Sequence, residues 1–169
     1  HSYLEDDRNK EVLIYINGRY HIRDNAKISI FDSGFLLGDG VWEGIRFHNR
    51  KFIFLKEHLD RIYSGAKSLS ISIDVSKAEL TNLLQEIVDK NNMSSDVHLR
   101  LIITRGMKIT PYQHPNANIG GCSIVVIPEY KIADKEVNRI GIKLASVSTI
   151  RSTKEILDPR INSLSKLNC

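Results

Sequence analysis

Hydrophobic and polar residues alternate over much of the first third of the chain, and this period of two is typical of β-strands. Two such runs, 12–16 and 19–22, flank Asn17-Gly18, a dipeptide that favours the positive φ angles of a tight hairpin turn. Three more runs follow at 27–31, 41–48 and 51–55. The first third of the chain is therefore predicted to form antiparallel β-structure.

The pattern then changes to the spacing of three and four that marks an amphipathic helix. The apolar stripe of the first helix consists of Leu59, Ile62, Tyr63, Ala66 and Leu69. A second helix is predicted to begin at Ser76, because Glu79 stands three residues later as in a capping box. Asn91-Asn92 is predicted to end this helix.

Strand-like runs return at 97–104, 123–127 and 142–147. Prolines and glycines between the first two of these runs indicate a long loop, of the kind that is usually functional or mobile. At the end of the chain, residues Ile161–Cys169 have the pattern of a third helix. Strands, two helices and strands again, without βαβ alternation, predict an α+β fold with a largely antiparallel sheet and two packed helices.

The composition is that of a soluble globular domain, since 41% of the 169 residues are hydrophobic and 26% are charged. No apolar run approaches the roughly 18–20 residues of a membrane span, and residues 1–11 do not resemble a secretory signal. The net charge of +4 is spread along the chain, which argues against nucleic-acid binding. Cys122 and Cys169 have no motif spacing, so we interpret them as thiols in a reducing compartment and expect a cytoplasmic protein.

Several common catalytic and ligand-binding motifs do not match this sequence. The glycine-rich stretch 34–40 precedes a predicted strand, whereas a phosphate-binding loop precedes a helix. His58 and His98 have no companions at metal-ligand spacing, and no metal site is predicted. The sequence also contains no Gly-x-Ser-x-Gly nucleophile motif.

Two motifs in combination do point to a chemistry. The stretch GDGVWEGIR at 38–46, followed by EHLDRI at 57–62, closely resembles the N-terminal half of the fold type IV pyridoxal-phosphate enzymes. That class IV aminotransferase family includes branched-chain aminotransferases, D-amino-acid aminotransferases and aminodeoxychorismate lyases. The resemblance covers about residues 12–169 and also includes the stretches 14–18, 103–106 and 158–160.

The resemblance implies that the cofactor is pyridoxal 5'-phosphate and that Arg61 binds its phosphate. A guanidinium suits a phosphate because it donates two parallel hydrogen bonds, whereas the alternative for Arg61 is an exposed helix charge. By the same resemblance, Trp42, Glu43, Gly44 and Arg46 line the substrate pocket.

His98 and Arg100 stand where branched-chain enzymes carry Tyr-x-Arg. The period of a strand places both residues on one face, and a paired polar face on a central strand suits a wet pocket for an anion. Arg100 is therefore predicted to bind the substrate carboxylate. The alternative is the solvent-facing side of an edge strand.

The family's lysine that bonds covalently to the cofactor and then moves the α-proton is missing from its usual place. A gapless match puts Asn162 at that position, and an amide cannot do this chemistry. Lys166 lies four residues further on, about 6 Å away on the same face if the segment is helical. We therefore predict Lys166 as the catalytic lysine; the alternatives are a catalytically silent relative or an altered residue at position 162.

The expected function is transamination of a small amino acid, as in branched-chain or D-amino-acid aminotransferases, with an aminodeoxychorismate lyase-like activity as the alternative. Expected partners are amino-acid and keto-acid substrates and a second copy in a homodimer, but neither nucleic acid nor a membrane. Residues 1–150 are expected to form the N-terminal domain, and 151–169 the linker and the start of a C-terminal cofactor domain that is truncated here.

Overall fold

The computed structural model describes residues 6–132, 135–149 and 153–166. In these ranges the strands are Leu13–Ile16 (β1), Arg19–Ile22 (β2), Gly40–His48 (β3), Lys51–Phe52 (β4), Val97–Thr104 (β5), Met107–Lys108 (β6), Asn118–Ile119 (β7) and Ser123–Tyr130 (β8). The helices are Ser33–Leu37 (α1), Leu55–Ser68 (α2), Lys77–Lys90 (α3), Lys135–Ile140 (α4) and Lys154–Leu157 (α5). None of these helices is both long and apolar enough to cross a bilayer.

Six strands form one sheet in the order β2-β1-β8-β5-β3-β4, and all neighbouring strands are antiparallel. The longest pairing joins β3 to β5, with a register that runs from Gly40 opposite Thr104 to Phe47 opposite Val97. Strands β6 and β7 form a separate small ribbon within the predicted long loop. The predicted α+β fold, a largely antiparallel sheet with two long helices, is confirmed.

Helices α2 and α3 pack against one face of the sheet, and the core lies between the two layers. Along β3 the buried side chains are Val41, Glu43, Ile45 and Phe47, whereas the residues between them face away from the helices. We call this second side the open face. The helices supply their periodic apolar residues to the core, chiefly Leu59, Ile62, Leu80, Leu84 and Ile87.

The start of α3 has the predicted capping box. The Ser76 hydroxyl accepts a hydrogen bond from the Glu79 backbone N–H at 3.2 Å, and the Glu79 carboxylate accepts one from the Ser76 N–H at 2.7 Å. This arrangement satisfies backbone donors that a helix leaves free at its N-terminus.

Two predicted strands are wrong. Residues 27–31 form no ladder, and the Asp32 N–H closes a turn on the Ser29 carbonyl at 3.0 Å. Residues 142–147 have no regular structure and expose their apolar side chains, Leu144 to 86%. Alternation is not sufficient for a strand, because its backbone groups also need a partner along its length. Among the described residues, 142–147 has no such partner, and 27–31 meets β6 at its end, where the Phe31 carbonyl accepts from the Lys108 N–H at 2.9 Å.

The glycine-rich stretch 34–40, which precedes strand β3, begins within the short helix α1. The Asp32 carboxylate caps α1 by accepting from the Gly34 N–H at 2.8 Å, and Gly38 ends it with a φ of 67°. This left-handed conformation is one that glycine adopts without strain.

The predicted helix over 161–169 is also wrong where the structure describes it, up to residue 166. The segment pairs with the start of β3: Ser163 lies opposite Val41, the Trp42 N–H donates to the Asn162 carbonyl, and the Leu164 N–H donates to the Gly40 carbonyl, both at 2.9 Å. The segment has a bridge at Ser163 and a bend at Leu164 but no helical turn, so Asn162 and Lys166 do not share a helical face about 6 Å apart. Residues 167–169 lie outside the described part.

Side chains of this segment pack where glycines leave room. A Cβ built on Gly40 would lie 2.7 Å from Cδ1 of Leu164 and 2.7 Å from the carbonyl oxygen of Ile103. A Cβ on Gly65 of α2 would instead make ordinary contact with Cγ2 of Ile161 at 3.4 Å. The same substitution should therefore have opposite effects at these two glycines.

We expect Gly40→Ala to lower the free energy of unfolding by about 1–3 kcal/mol, because the added methyl group has no free space. Gly65→Ala should raise it by up to about 1 kcal/mol, because alanine favours the helix interior. Urea unfolding of the full-length protein measures both values. Equal effects of the two substitutions would contradict the described packing of residues 161–164.

Candidate active site

A buried carboxylate lies between β3 and α2. The Glu43 side chain has no exposed surface, and it accepts hydrogen bonds from Nε of Arg61 at 2.5 Å and from Nη2 at 2.6 Å. Nδ1 of His58 lies 2.8 Å from the same carboxylate. The bidentate pair fixes the plane of the guanidinium and raises the pKa of Arg61 above its ordinary value.

The helix motif explains why these groups meet. His58 and Arg61 are three residues apart on α2, so they project on the same side of the helix, toward β3. The Arg61 side chain is 51% exposed although its partner is fully buried. The guanidinium therefore presents a fixed edge to solvent, where it can bind an external oxyanion.

The open face brings together the other predicted site residues. Trp42, Gly44 and Arg46 on β3 lie beside β5, where Gly44 is opposite Arg100 and Arg46 is opposite His98. The prediction that His98 and Arg100 share a face is confirmed. The edge-strand alternative is wrong, because β5 lies between β3 and β8.

Within this group the Arg100 guanidinium lies over the Trp42 ring, with its central carbon 4.0 Å from the ring centroid. Gly44 leaves room for the neighbouring imidazole, because a Cβ there would lie 2.7 Å from Nε2 of His98. Arg46 is bound elsewhere, since its Nη1 donates to the Lys131 carbonyl at 2.5 Å. Arg46 thus holds the end of β8, and Arg100 is the better placed of the two arginines to bind a ligand.

His98 is half-buried beside these cations. Desolvation lowers the pKa of its imidazole, and the charges of Lys131 and Arg100 lower it further, against the opposing charge of Glu129. The ring is therefore neutral at neutral pH, and it offers one hydrogen-bond donor and one acceptor.

Strand β3 separates the two groups, with the Glu43–Arg61 pair on its helix side and Trp42 with Arg100 on its open face. The segment that contains Asn162 pairs with this strand at the same level, with Asn162 in register with Trp42. Lys166 lies beyond it and is partly buried.

Sequence reasoning missed the contacts that hold these parts together. The Asp39 carboxylate accepts two hydrogen bonds from Arg105, at 2.6 and 3.0 Å, and Arg105 also donates to the carbonyls of Leu69 and Ser70 at the end of α2. Trp42 Nε1–H donates to the Ser163 carbonyl at 3.2 Å. These partners are tens of residues apart, so no local spacing could have revealed them.

Comparison with known proteins agrees with this geometry. The family model for amino-transferase class IV matches residues 40–169. The chain belongs to the class IV aminotransferase family, as the motifs predicted.

Among curated proteins, one from Methanocaldococcus jannaschii, provisionally named a branched-chain-amino-acid aminotransferase, is 36% identical over 155 residues, which is 92% of this chain and 52% of that protein. The D-alanine aminotransferase of Listeria monocytogenes is 37% identical over 101 residues, 60% of this chain and 34% of that protein. The chain thus spans about half or less of the length of these relatives.

Among solved structures, the T.th. branched-chain amino acid aminotransferase complexed with N-(5'-phosphopyridoxyl)-L-glutamate superposes with a TM-score of 0.76 at 26% identity. The match covers 91% of this chain and 50% of that one. The sheet and its two long helices are therefore the fold of a class IV aminotransferase domain.

The lowered pKa of His98 predicts a pH dependence of stability. The unfolded chain binds a proton at the ordinary pKa of 6.5, whereas the folded chain binds it only at lower pH. Stability should therefore fall as the pH drops through 6.5, by at most about 1.4 kcal/mol per pH unit from this residue. Urea unfolding at several pH values measures this dependence. His98→Asn should reduce the loss of unfolding free energy below pH 6.5. The same slope of unfolding free energy against pH in the variant and the original protein would contradict the prediction.

Proposed function

We propose that the protein containing this chain is a pyridoxal-phosphate-dependent aminotransferase acting on a small amino acid, like the branched-chain and D-amino-acid enzymes. One observation carries the proposal: a single strand, β3, presents a buried carboxylate that orients Arg61 on one side and an aromatic ring that supports Arg100 on the other. Two separately held arginines suit a reaction with two anionic groups to bind, a cofactor phosphate and a substrate carboxylate.

The described residues fit the phosphate end of the cofactor. The planar guanidinium of Arg61 is half-exposed and bound to Glu43, so its orientation is fixed before an oxyanion binds. When bound, pyridoxal phosphate supplies an aldehyde for the amino group and a ring that withdraws electrons. The phosphopyridoxyl compound in the T.th. relative supports this assignment.

On the open face, Arg100 binds the substrate carboxylate. Stacking on Trp42 holds the guanidinium and shields one of its faces from water, which strengthens its attraction for an anion. The neutral His98 ring offers a further hydrogen bond, and Gly44 keeps the space beside it open. Arg46 acts at the far end of this face by bonding the Lys131 carbonyl.

The catalytic lysine is proposed to be Lys166. The reaction needs a primary amine that bonds to the cofactor and moves a proton, and the amide of Asn162 can do neither. The helical argument for Lys166 does not hold, so the assignment depends on its amine, its partly buried position and its nearness to Asn162 in the chain. If no lysine bonds to the cofactor, the protein is a catalytically silent relative.

The wider assignments belong to the same proposal. Residues 1–150 are proposed to be the N-terminal domain, with 151–169 leading into a cofactor domain of the whole protein. The protein is proposed to be a cytoplasmic homodimer that binds amino and keto acids but neither nucleic acid nor a membrane. An aminodeoxychorismate lyase-like activity is the alternative.

The function is tested by incubating the full-length protein and pyridoxal phosphate with small aliphatic L- and D-amino acids and a keto-acid acceptor. We expect keto-acid formation from one handedness. Arg61→Ala should raise the cofactor concentration for half-maximal activity at least about tenfold, because it loses a charge-assisted phosphate contact. Arg19→Ala, on the edge strand β2, is the control. Release of pyruvate from aminodeoxychorismate would favour the lyase, and no reaction with any of these substrates would contradict both activities.

The lysine is identified by reducing the full-length protein with borohydride in the presence of pyridoxal phosphate and mapping its peptides by mass spectrometry. We expect a pyridoxyl group on Lys166, and Lys166→Arg should abolish it because arginine keeps the charge but does not form this bond. Labelling of another lysine, or of none, would refute the assignment.

A further inference from the structure

Trp42 contacts both Arg100 and the segment that contains Asn162 and Ser163. Its ring lies under the Arg100 guanidinium of β5, 4.0 Å from the central carbon. Its indole N–H donates to the Ser163 carbonyl at 3.2 Å, and its backbone N–H donates to the Asn162 carbonyl at 2.9 Å. One residue of β3 therefore joins the proposed carboxylate-binding arginine to the segment proposed to carry the catalytic lysine.

The indole is suited to this double contact. Its face attracts a cation, while its single N–H points outward in the plane of the ring and can only donate. Phenylalanine would offer the face without the donor. Ser163 is 3% exposed, so a carbonyl left without the indole donor there would lose a hydrogen bond that water cannot easily replace.

The segment has few other polar attachments to the sheet. Among the described residues, three hydrogen bonds join 162–164 to β3: two are donated by Trp42, and the third runs from the Leu164 N–H to the Gly40 carbonyl. A pairing this short is weak as β-structure, so the indole bond adds to the placement that the packing of Ile161 and Leu164 provides.

We propose that Trp42 is a positioning residue, which holds the Asn162–Lys166 segment at a fixed place relative to Arg100. The inference deepens the proposed function and rests on it for the roles of Arg100 and Lys166. The mechanical link itself depends only on the contacts of Trp42.

The link is tested by hydrogen exchange of the full-length protein, followed by mass spectrometry. Trp42→Phe removes the indole donor and keeps an aromatic ring under Arg100. We expect exchange in the peptide that contains residues 162–166 to accelerate about three- to tenfold, as for the loss of one hydrogen bond, with unchanged exchange in β8 as the internal control. Unchanged exchange at 162–166 would overturn the inference.

A kinetic comparison separates the two contacts. Trp42→Phe should lower kcat about three- to tenfold and leave the KM for the amino acid within about twofold. This variant loses the hydrogen bond to Ser163 but keeps a ring under Arg100. Trp42→Leu, which also removes the ring, should in addition raise KM at least about fivefold, as expected when a cation–π support is lost. Equal effects of both variants on KM would overturn the division of roles. A protein without transaminase activity would contradict the proposed function, whereas the exchange result would still decide the link.

Discussion

The burial of the Glu43 carboxylate is the constraint on which the rest of the site depends. Burying a carboxylate beneath a helix costs several kcal/mol unless other groups compensate it, and here the Arg61 guanidinium and the His58 ring contact it. Both groups come from α2, so their contacts with Glu43 hold this helix in its rotation against the sheet. The same rotation places Gly65 against Ile161 of the C-terminal segment.

The alternation of β3 then divides the chemistry. Odd-numbered residues from Val41 to Phe47 enter the core or meet α2, and the even-numbered residues between them form the open face. The unbroken register with β5 places Arg100 beside Gly44. A side chain at Gly44 would fill the space that the His98 ring occupies. A slip of one residue would exchange the two faces and bury the arginines.

Local patterns were enough to predict most of the fold. The hairpin at Asn17-Gly18, the capping box of α3 and the shared face of His98 and Arg100 all follow from periods of two or 3.6 and from residues three apart. The strand expected at 142–147 and the helix expected from Ile161 could not be judged in this way, because their state depends on whether a distant strand is available. The pairing of Glu43 with Arg61 was hidden for a related reason, since it depends on how α2 is rotated against the sheet.

The pairing of Ser163 with Val41 can form only late in the synthesis of the chain. These residues are more than a hundred positions apart, so β3 leaves the ribosome long before the segment that covers its edge at this point. Until then the edge from Gly40 presents free backbone groups, the kind of surface that recruits strands from other molecules. A chain interrupted before Ile161 lacks the backbone groups that cover this edge in the folded protein.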